Sequence, residues 1–418
     1  MNESNNYQNV ERRAWGIMVA SFIAYCAIAA AIFYSVRWFL FESETTQEAT
    51  VTLISGTVFF TPPGAILPQA IVETVTDLAE NTRIDTEAGS QAALSFYTPD
   101  ETTALGSLQM YGGSAFTMAG LRSPRFEWSN RPHHMEIEMR RGRARVSLAV
   151  DVQRQIVIRL RTPHGEVQLD RSGSYSIEVT DQSTEVVVRD GAAVVSGAGQ
   201  SVILAAGERT VVRNGDAPEG VLTGERNLIV NGDFSAPISP ADWNPSKDRH
   251  DPQDVEGEVE LTVDAGHNAV RFNRPGRDWG RVGIEQKINR DVRDYQSLRL
   301  HLAMRIARQN LLVCGSLGSE CPLMTRIEYT DLAGNRNEWL QGFYYLNDSS
   351  NTLPKICVYC PPPKQDHVHV QPNVWVSYDS PDLIALLNKP AIINSITVYA
   401  EGHSFESYVS EIELQAGD

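Results

Sequence analysis

From Ala14 to Val36 the chain reads AWGIMVASFIAYCAIAAAIFYSV, apolar on every helical face and free of charged side chains. At 1.5 Å per residue a helix of this length crosses a hydrocarbon core of about 30 Å. Trp15 stands at one end and Tyr34 and Trp38 at the other, where amphipathic rings favour the headgroup level, and Arg37 can snorkel outward. A cleaved signal peptide has an apolar region of about 7–15 residues and a small-residue cleavage site. This run is longer and leaves through Arg37-Trp38-Phe39-Leu40-Phe41. The pattern predicts an uncleaved transmembrane anchor over residues 14–40 behind a cytoplasmic tail of residues 1–13.

The polar flanks give the anchor a direction. Arg12 and Arg13 precede it, whereas Glu42, Glu44 and Glu48 follow, and no Lys or Arg occurs between Arg37 and Arg83. The positive-inside tendency places the N-terminus in the cytoplasm and the chain from about residue 45 onward outside, in the cell envelope.

Beyond the anchor the apolar period changes to two, the mark of half-buried strands. Val51-Thr52-Leu53-Ile54, Met135-Glu136-Ile137-Glu138-Met139 and Arg145 to Val150 alternate in this way. So do Gln155–Leu160, Gly165–Leu169, Ser174–Val179, Thr184–Val188, Ala192–Val195, Ser201–Leu204 and Arg209–Val212. Turn formers such as Thr162-Pro163-His164-Gly165, Asp190-Gly191 and Ala206-Gly207-Glu208 separate them. The fold class expected is mainly β. Arg140-Arg141-Gly142-Arg143-Ala144-Arg145 reads as a solvated turn between two strands.

Residues 50–213 resemble the FecR-type extracytoplasmic domain. The resemblance rests on the strand, Gly, strand pattern of Met135 to Val150, on Thr162 to Val167, on Gly173-Ser174-Tyr175-Ser176-Ile177, and on Thr184 to Val194 followed by Val202 to Glu208. Ser172-Gly173-Ser174-Tyr175 stands where the family has a Gly-Thr pair before an aromatic. The best-known members are sigma-factor regulators with a cytoplasmic helical segment. The residues before this anchor are too few for such a domain, since independent folding usually needs some 40 or more.

A run of turn formers over residues 214–224 reads as a linker. Residues 225–418 open with Asn227-Leu228-Ile229-Val230-Asn231-Gly232-Asp233-Phe234 and Trp243. They continue with alternating runs at Val282–Ile288, Ser297–Met304, Met324–Tyr329, Ile393–Tyr399 and Tyr408–Leu414. These segments resemble a galactose-binding or carbohydrate-binding-module jelly roll, which implies a β-sandwich but no particular ligand.

Composition adds constraints. A net charge of -16 argues against nucleic acid, because phosphate binding relies on clustered Lys and Arg. Cys26 lies in the apolar run and reads as a small filler. The other four, Cys314, Cys321, Cys357 and Cys360, lie in the last module, where an extracytoplasmic location favours disulfides, most simply Cys314 with Cys321 and Cys357 with Cys360. The alternative is a zinc site of Cys357, Cys360, His367 and His369, the two histidines alternating on one side of a strand.

For a glycan, an aromatic platform beside planar polar side chains is needed. Trp243, Trp279, Trp339 and Tyr344 are the candidates, with Tyr345, Asp278, Arg281, Glu338 and Gln341 beside them; the other reading is that the rings fill the core. His133-His134 reads as a surface pair. No Gly-x-Ser-x-Gly, His-Glu-x-x-His or phosphate-binding loop motif is present, so no enzyme and no cofactor is expected. The function expected is a membrane-anchored extracytoplasmic binding or scaffold protein recognising a glycan or another envelope component. A transmembrane signalling regulator of the FecR type is the alternative.

Overall fold

The computed structural model describes residues 3–47, 49–98, 104–149, 154–387 and 389–418, with side chains from Arg13 onward. Glu48 and Val150, used above, fall outside this set. The chain is mainly β and divides into two compact units, Met1–Gly224 and Glu225–Asp418.

The first unit opens with one helix, Glu3–Phe41, so the polar residues ahead of Arg13 extend the helix rather than form a separate tail. Its portion Arg13–Phe41 is long and apolar enough to cross a membrane. Trp15, Phe22, Tyr25, Ile28 and Phe33 point in different directions around the axis, and each is exposed by 60% or more. A helix apolar all round whose apolar window is left uncovered is the pattern of a lipid-facing span.

After the helix the unit builds two sheets on one core. The first runs through Gln69–Ala70, Val58–Thr61, Thr82–Thr86, Ala115–Pro124, the start of His133–Leu148, Ile156–Arg161, Glu166–Leu169, Ala192–Gly197 and Gln200–Ala205. The second runs through Thr74–Leu78, Ala49–Ser55, Gln91–Tyr97, Ala104–Met110, the end of His133–Leu148, Gly173–Val179, Ser183–Asp190, Glu208–Arg213 and Leu222–Thr223. Leu222 and Thr223, inside the expected linker, therefore belong to the second sheet.

The shared strand His133–Leu148 explains the basic run, which is not a turn. Met135, Ile137 and Met139 face the core in the first sheet, and Ala144, Val146 and Leu148 face it in the second. The buried positions thus change from odd to even across Arg140–Gly142, because the strand passes from one sheet to the other and must present a new face inward. Gly142 allows the crossing: its φ is +98°, and a Cβ there would collide with Ser114. Arg143 is buried, with its guanidinium 5.6 Å from the Tyr111 ring centroid. Its backbone N–H donates to the Ser114 hydroxyl at 3.0 Å.

The second unit repeats the device with two long strands, His267–Asp291 and Pro390–Gly417, each running through both layers of a sandwich. Their later and earlier halves, respectively, pair with Asn244–Arg249 and Leu323–Asp331, and Arg336–Tyr344 follows. Their other halves pair with Glu258–Asp264 and Ser297–Gln309, and Val376–Asp379 follows. The bend lies at the register break between Pro275 and Gly280, opposite Gly402, whose φ is +133°. The core between the layers is filled by Trp243, Trp339, Phe272, Phe343 and Phe405 among others.

Candidate binding site

The bend in His267–Asp291 is held by a buried ion pair. Arg274 is fully buried and donates to Asp254 Oδ2 at 2.9 Å, to the Val255 carbonyl at 2.9 Å and to the His403 carbonyl at 2.6 Å. Asp254 Oδ2 also accepts from the backbone N–H groups of Arg277 and Asp278, both at 2.8 Å. Those two N–H groups, with Arg274 beyond them, hold the Asp254 carboxyl well below the usual carboxylate range. A buried charge survives only when it is paired and hydrogen-bonded, as Arg274 and Asp254 are. The ladder between Pro275 and Gly280 is thereby replaced by a rigid corner that presents Trp279.

Trp279 is half-buried, and its indole N–H donates to Glu401 Oε1 at 2.9 Å. Arg281 lies opposite Glu401 in register, with Nη1 3.9 Å from Glu401 Oε2. Its guanidinium is 5.6 Å from the Tyr399 ring centroid. Gly283, the cross-strand partner of Tyr399, leaves room for that side chain, since a Cβ there would collide with it. Asp278 accepts from the Trp279 backbone N–H at 2.7 Å and lies 3.2 Å from His250 Nδ1. Both interactions hold the Asp278 carboxyl below its ordinary value, whereas burial pushes the Glu401 carboxyl up against the opposing effects of Trp279 and Arg281. One aromatic ring thus sits beside two carboxylates, a guanidinium and an imidazole, a donor and acceptor set suited to hydroxyl-rich ligands.

One of the two disulfides lies beside this site. Cys314 is joined to Cys321 and Cys357 to Cys360. The Cys314–Cys321 loop lies on the outer face of the sheet, where Cys314 and Cys321 pack with Val313, Met324, Tyr344 and Tyr399 in a small second core. The Cys321 carbonyl accepts from the Glu401 backbone N–H at 3.0 Å, which ties the loop to Glu401.

The expected ligand residues separate into two groups. Trp279, Asp278 and Arg281 come together as described. Trp243 and Trp339 are fully buried in the core, and the Trp243 indole N–H donates to the Val230 carbonyl at 3.1 Å, so neither ring offers a platform. Tyr344 does face outward from its strand, but the stapled loop covers it. Of the other polar candidates, Gln341 is buried and accepts from the Tyr378 hydroxyl, and the Tyr345 hydroxyl accepts from the Gln309 backbone N–H. Glu338 faces Arg326 at 3.9 Å.

The alternative zinc set is likewise dispersed. Cys357 and Cys360 are bonded to each other. His367 is buried against Cys314 and Cys321, donates from Nε2 to the Gly318 carbonyl at 2.7 Å and accepts at Nδ1 from the Gly342 backbone N–H at 3.0 Å. Burial lowers its pKa, and with both ring nitrogens engaged it stays a neutral structural group. His369 is exposed and lies near the Tyr345 carbonyl and Asn347. Gly342 makes the His367 arrangement possible, since a Cβ there would collide with Cys321 Sγ and His367 Nδ1.

Sequence reasoning missed Glu401, Tyr399, His250, Asp254 and Arg274. Their assembly depends on the register of His267–Asp291 against Pro390–Gly417, which no local pattern encodes.

No family model and no curated sequence matches the chain. Among solved structures, a Parabacteroides distasonis protein described as an anti-sigma factor is similar at 19% identity and a TM-score of 0.25, covering 34% of this chain; the chain spans 57% of that protein. A family 11 carbohydrate-binding module from a Clostridium thermocellum cellulosomal cellulase is similar at 12% identity and a TM-score of 0.27, covering 46% of this chain and 95% of the module. A further structure of carbohydrate-binding modules of the β-sandwich superfamily is similar at 11% identity and a TM-score of 0.24, covering 66% of this chain and 92% of that one. At such scores none of the three likenesses bears on what this chain binds.

Proposed function

We propose that the chain is a membrane-anchored extracytoplasmic binding protein whose second unit takes a glycan, or another hydroxyl-rich envelope component, at Trp279. The observation that carries this reading is the half-buried Trp279 ring, held by its N–H to Glu401 and bordered by Arg281 and Asp278. Sugars stack their apolar C–H face on an aromatic ring and exchange hydroxyl hydrogen bonds with adjacent planar polar groups. The anchor supports the location: its exposed apolar surface needs lipid, and its charged flank, Arg12 and Arg13 before and Glu42 and Glu44 after, favours an N-terminus in the cytoplasm. Two disulfides suit an oxidising compartment. The site's carboxylates are tied to Trp279, Arg281 and His250, so the reading is one of binding without catalysis.

Glycan-array and cell-wall pull-down measurements on the full chain in detergent test it, with Trp279→Ala and Trp375→Ala compared. Trp279→Ala is expected to weaken binding roughly thirtyfold, the cost of about 2 kcal/mol at a binding hot spot, while Trp375→Ala, on the other sheet, leaves it unchanged. Blank arrays with folded protein, or equal binding by both variants, would remove the glycan reading.

A further inference from the structure

The end of the apolar helix is fastened to a loop of the first β unit. The Trp128 indole N–H donates to the Leu40 carbonyl at 3.1 Å and the Ser129 hydroxyl to the Phe41 carbonyl at 2.8 Å. These side chains satisfy carbonyls that a helix C-terminus otherwise leaves without a partner. Arg131 reaches Glu42 at 2.7 Å and Glu44 at 2.9 Å, so the chain leaving the helix is held by the same loop.

Although fixed in place, the loop leaves the Trp128 ring uncovered and Phe126 half-buried. Trp128 is 56% exposed, and Phe39 and Phe41 on the helix are 45% and 44% exposed. Phe126 stacks on Trp128 with centroids 4.9 Å apart and meets Phe39 edge-on at 5.6 Å, making one continuous surface from helix to loop. Arg125 lies over the Phe39 ring at 5.5 Å and Arg37 over Phe41 at 5.9 Å. Trp, Phe and Arg together form the composition of the headgroup boundary, where rings sit half in hydrocarbon and guanidinium groups reach phosphate.

We infer that this loop is a second membrane contact, with Phe126 and Trp128 resting in the outer headgroup layer beside the helix exit. The inference rests on the membrane-anchor reading above. Trp128 bonds the helix at Leu40, two residues or about 3 Å along the axis beyond Trp38. An interfacial layer roughly 5–7 Å deep on each side of the hydrocarbon therefore includes it. The contact fixes the tilt of the first β unit on the bilayer, which a single flexible tether would leave free.

The chain has seven tryptophans, and brominated lipids quench those that enter the membrane. The full chain is reconstituted in phosphatidylcholine vesicles brominated at shallow acyl positions. In Trp15→Phe/Trp38→Phe, quenching is expected to persist, and adding Trp128→Phe is expected to abolish it. Loss of quenching already in the double variant, with the wild type quenched, would overturn the loop contact while leaving the anchor intact. Quenching that survives in the triple variant would assign it to another ring and also overturn the contact. A wild-type chain unquenched at every bromine depth would refute the anchor itself, and the loop contact with it.

Discussion

At the scale of single residues, several positions carry more than their sequence context shows. His133 is buried rather than part of a surface pair, and its Nδ1 lies 2.6 Å from the Ser123 hydroxyl, which donates to Gln47 Oε1 at 2.7 Å. Since that hydroxyl proton goes to Gln47, His133 donates from Nδ1. Burial, then Arg154 and His134, push its pKa down from the usual 6.5 to about 4. The unfolded chain therefore binds this proton more readily, so stability of the first unit is full above about pH 6.5 and falls as pH drops toward about 4. Urea unfolding at pH 7 and pH 5 should show a larger loss for wild type than for His133→Gln. Equal losses would contradict the assignment. In sequence the two adjacent histidines are indistinguishable, and only the strand face decides which is buried. Trp243 and Trp279 differ for a similar reason: both are tryptophans near turns, but one lies under the sandwich and the other at a corner made by Arg274 and Asp254.

At the scale of elements, the alternation of apolar positions located Ala49–Ser55 and the strands from His133 to Arg213, because a half-buried strand must alternate, but not the seven strands between Val58 and Pro124. It could not show that His133–Leu148 serves two sheets. That information is a change of parity at Gly142, and a basic run with a glycine at its centre looks the same in a solvated turn. The cysteine pairs were also legible from local spacing, but their different roles were not. Cys314 and Cys321 are fully buried over Met324 and Tyr399, whereas Cys360 is partly exposed. Replacing Cys314 and Cys321 by alanine is therefore expected to cost about 2–3 kcal/mol and to weaken binding at Trp279 by loosening the support of Glu401. Replacing Cys357 and Cys360, which enclose a shorter loop, is expected to cost less and to leave binding intact. Denaturant unfolding and a binding titration on the two double variants check this, and a reversed order would contradict the account.

At the scale of the whole molecule, an apolar helix leads into a two-sheet unit fastened to its end, and a β-sandwich that carries the Trp279 corner follows. The helix was the plainest signal in the sequence, since a long uncharged apolar run has few other physical explanations. The side of the membrane proposed for the β units rests on a small charge asymmetry, and the proposed envelope ligand rests on it in turn. All five lysines, Lys247, Lys287, Lys355, Lys364 and Lys389, lie in the second unit and are exposed, so amine labelling of lysine reports on that unit alone. Cells with the outer envelope opened and the plasma membrane sealed are treated with a membrane-impermeant amine reagent, and the labelled lysines are read by mass spectrometry. The account predicts full modification of these lysines without permeabilisation; modification only after the plasma membrane is permeabilised would contradict it.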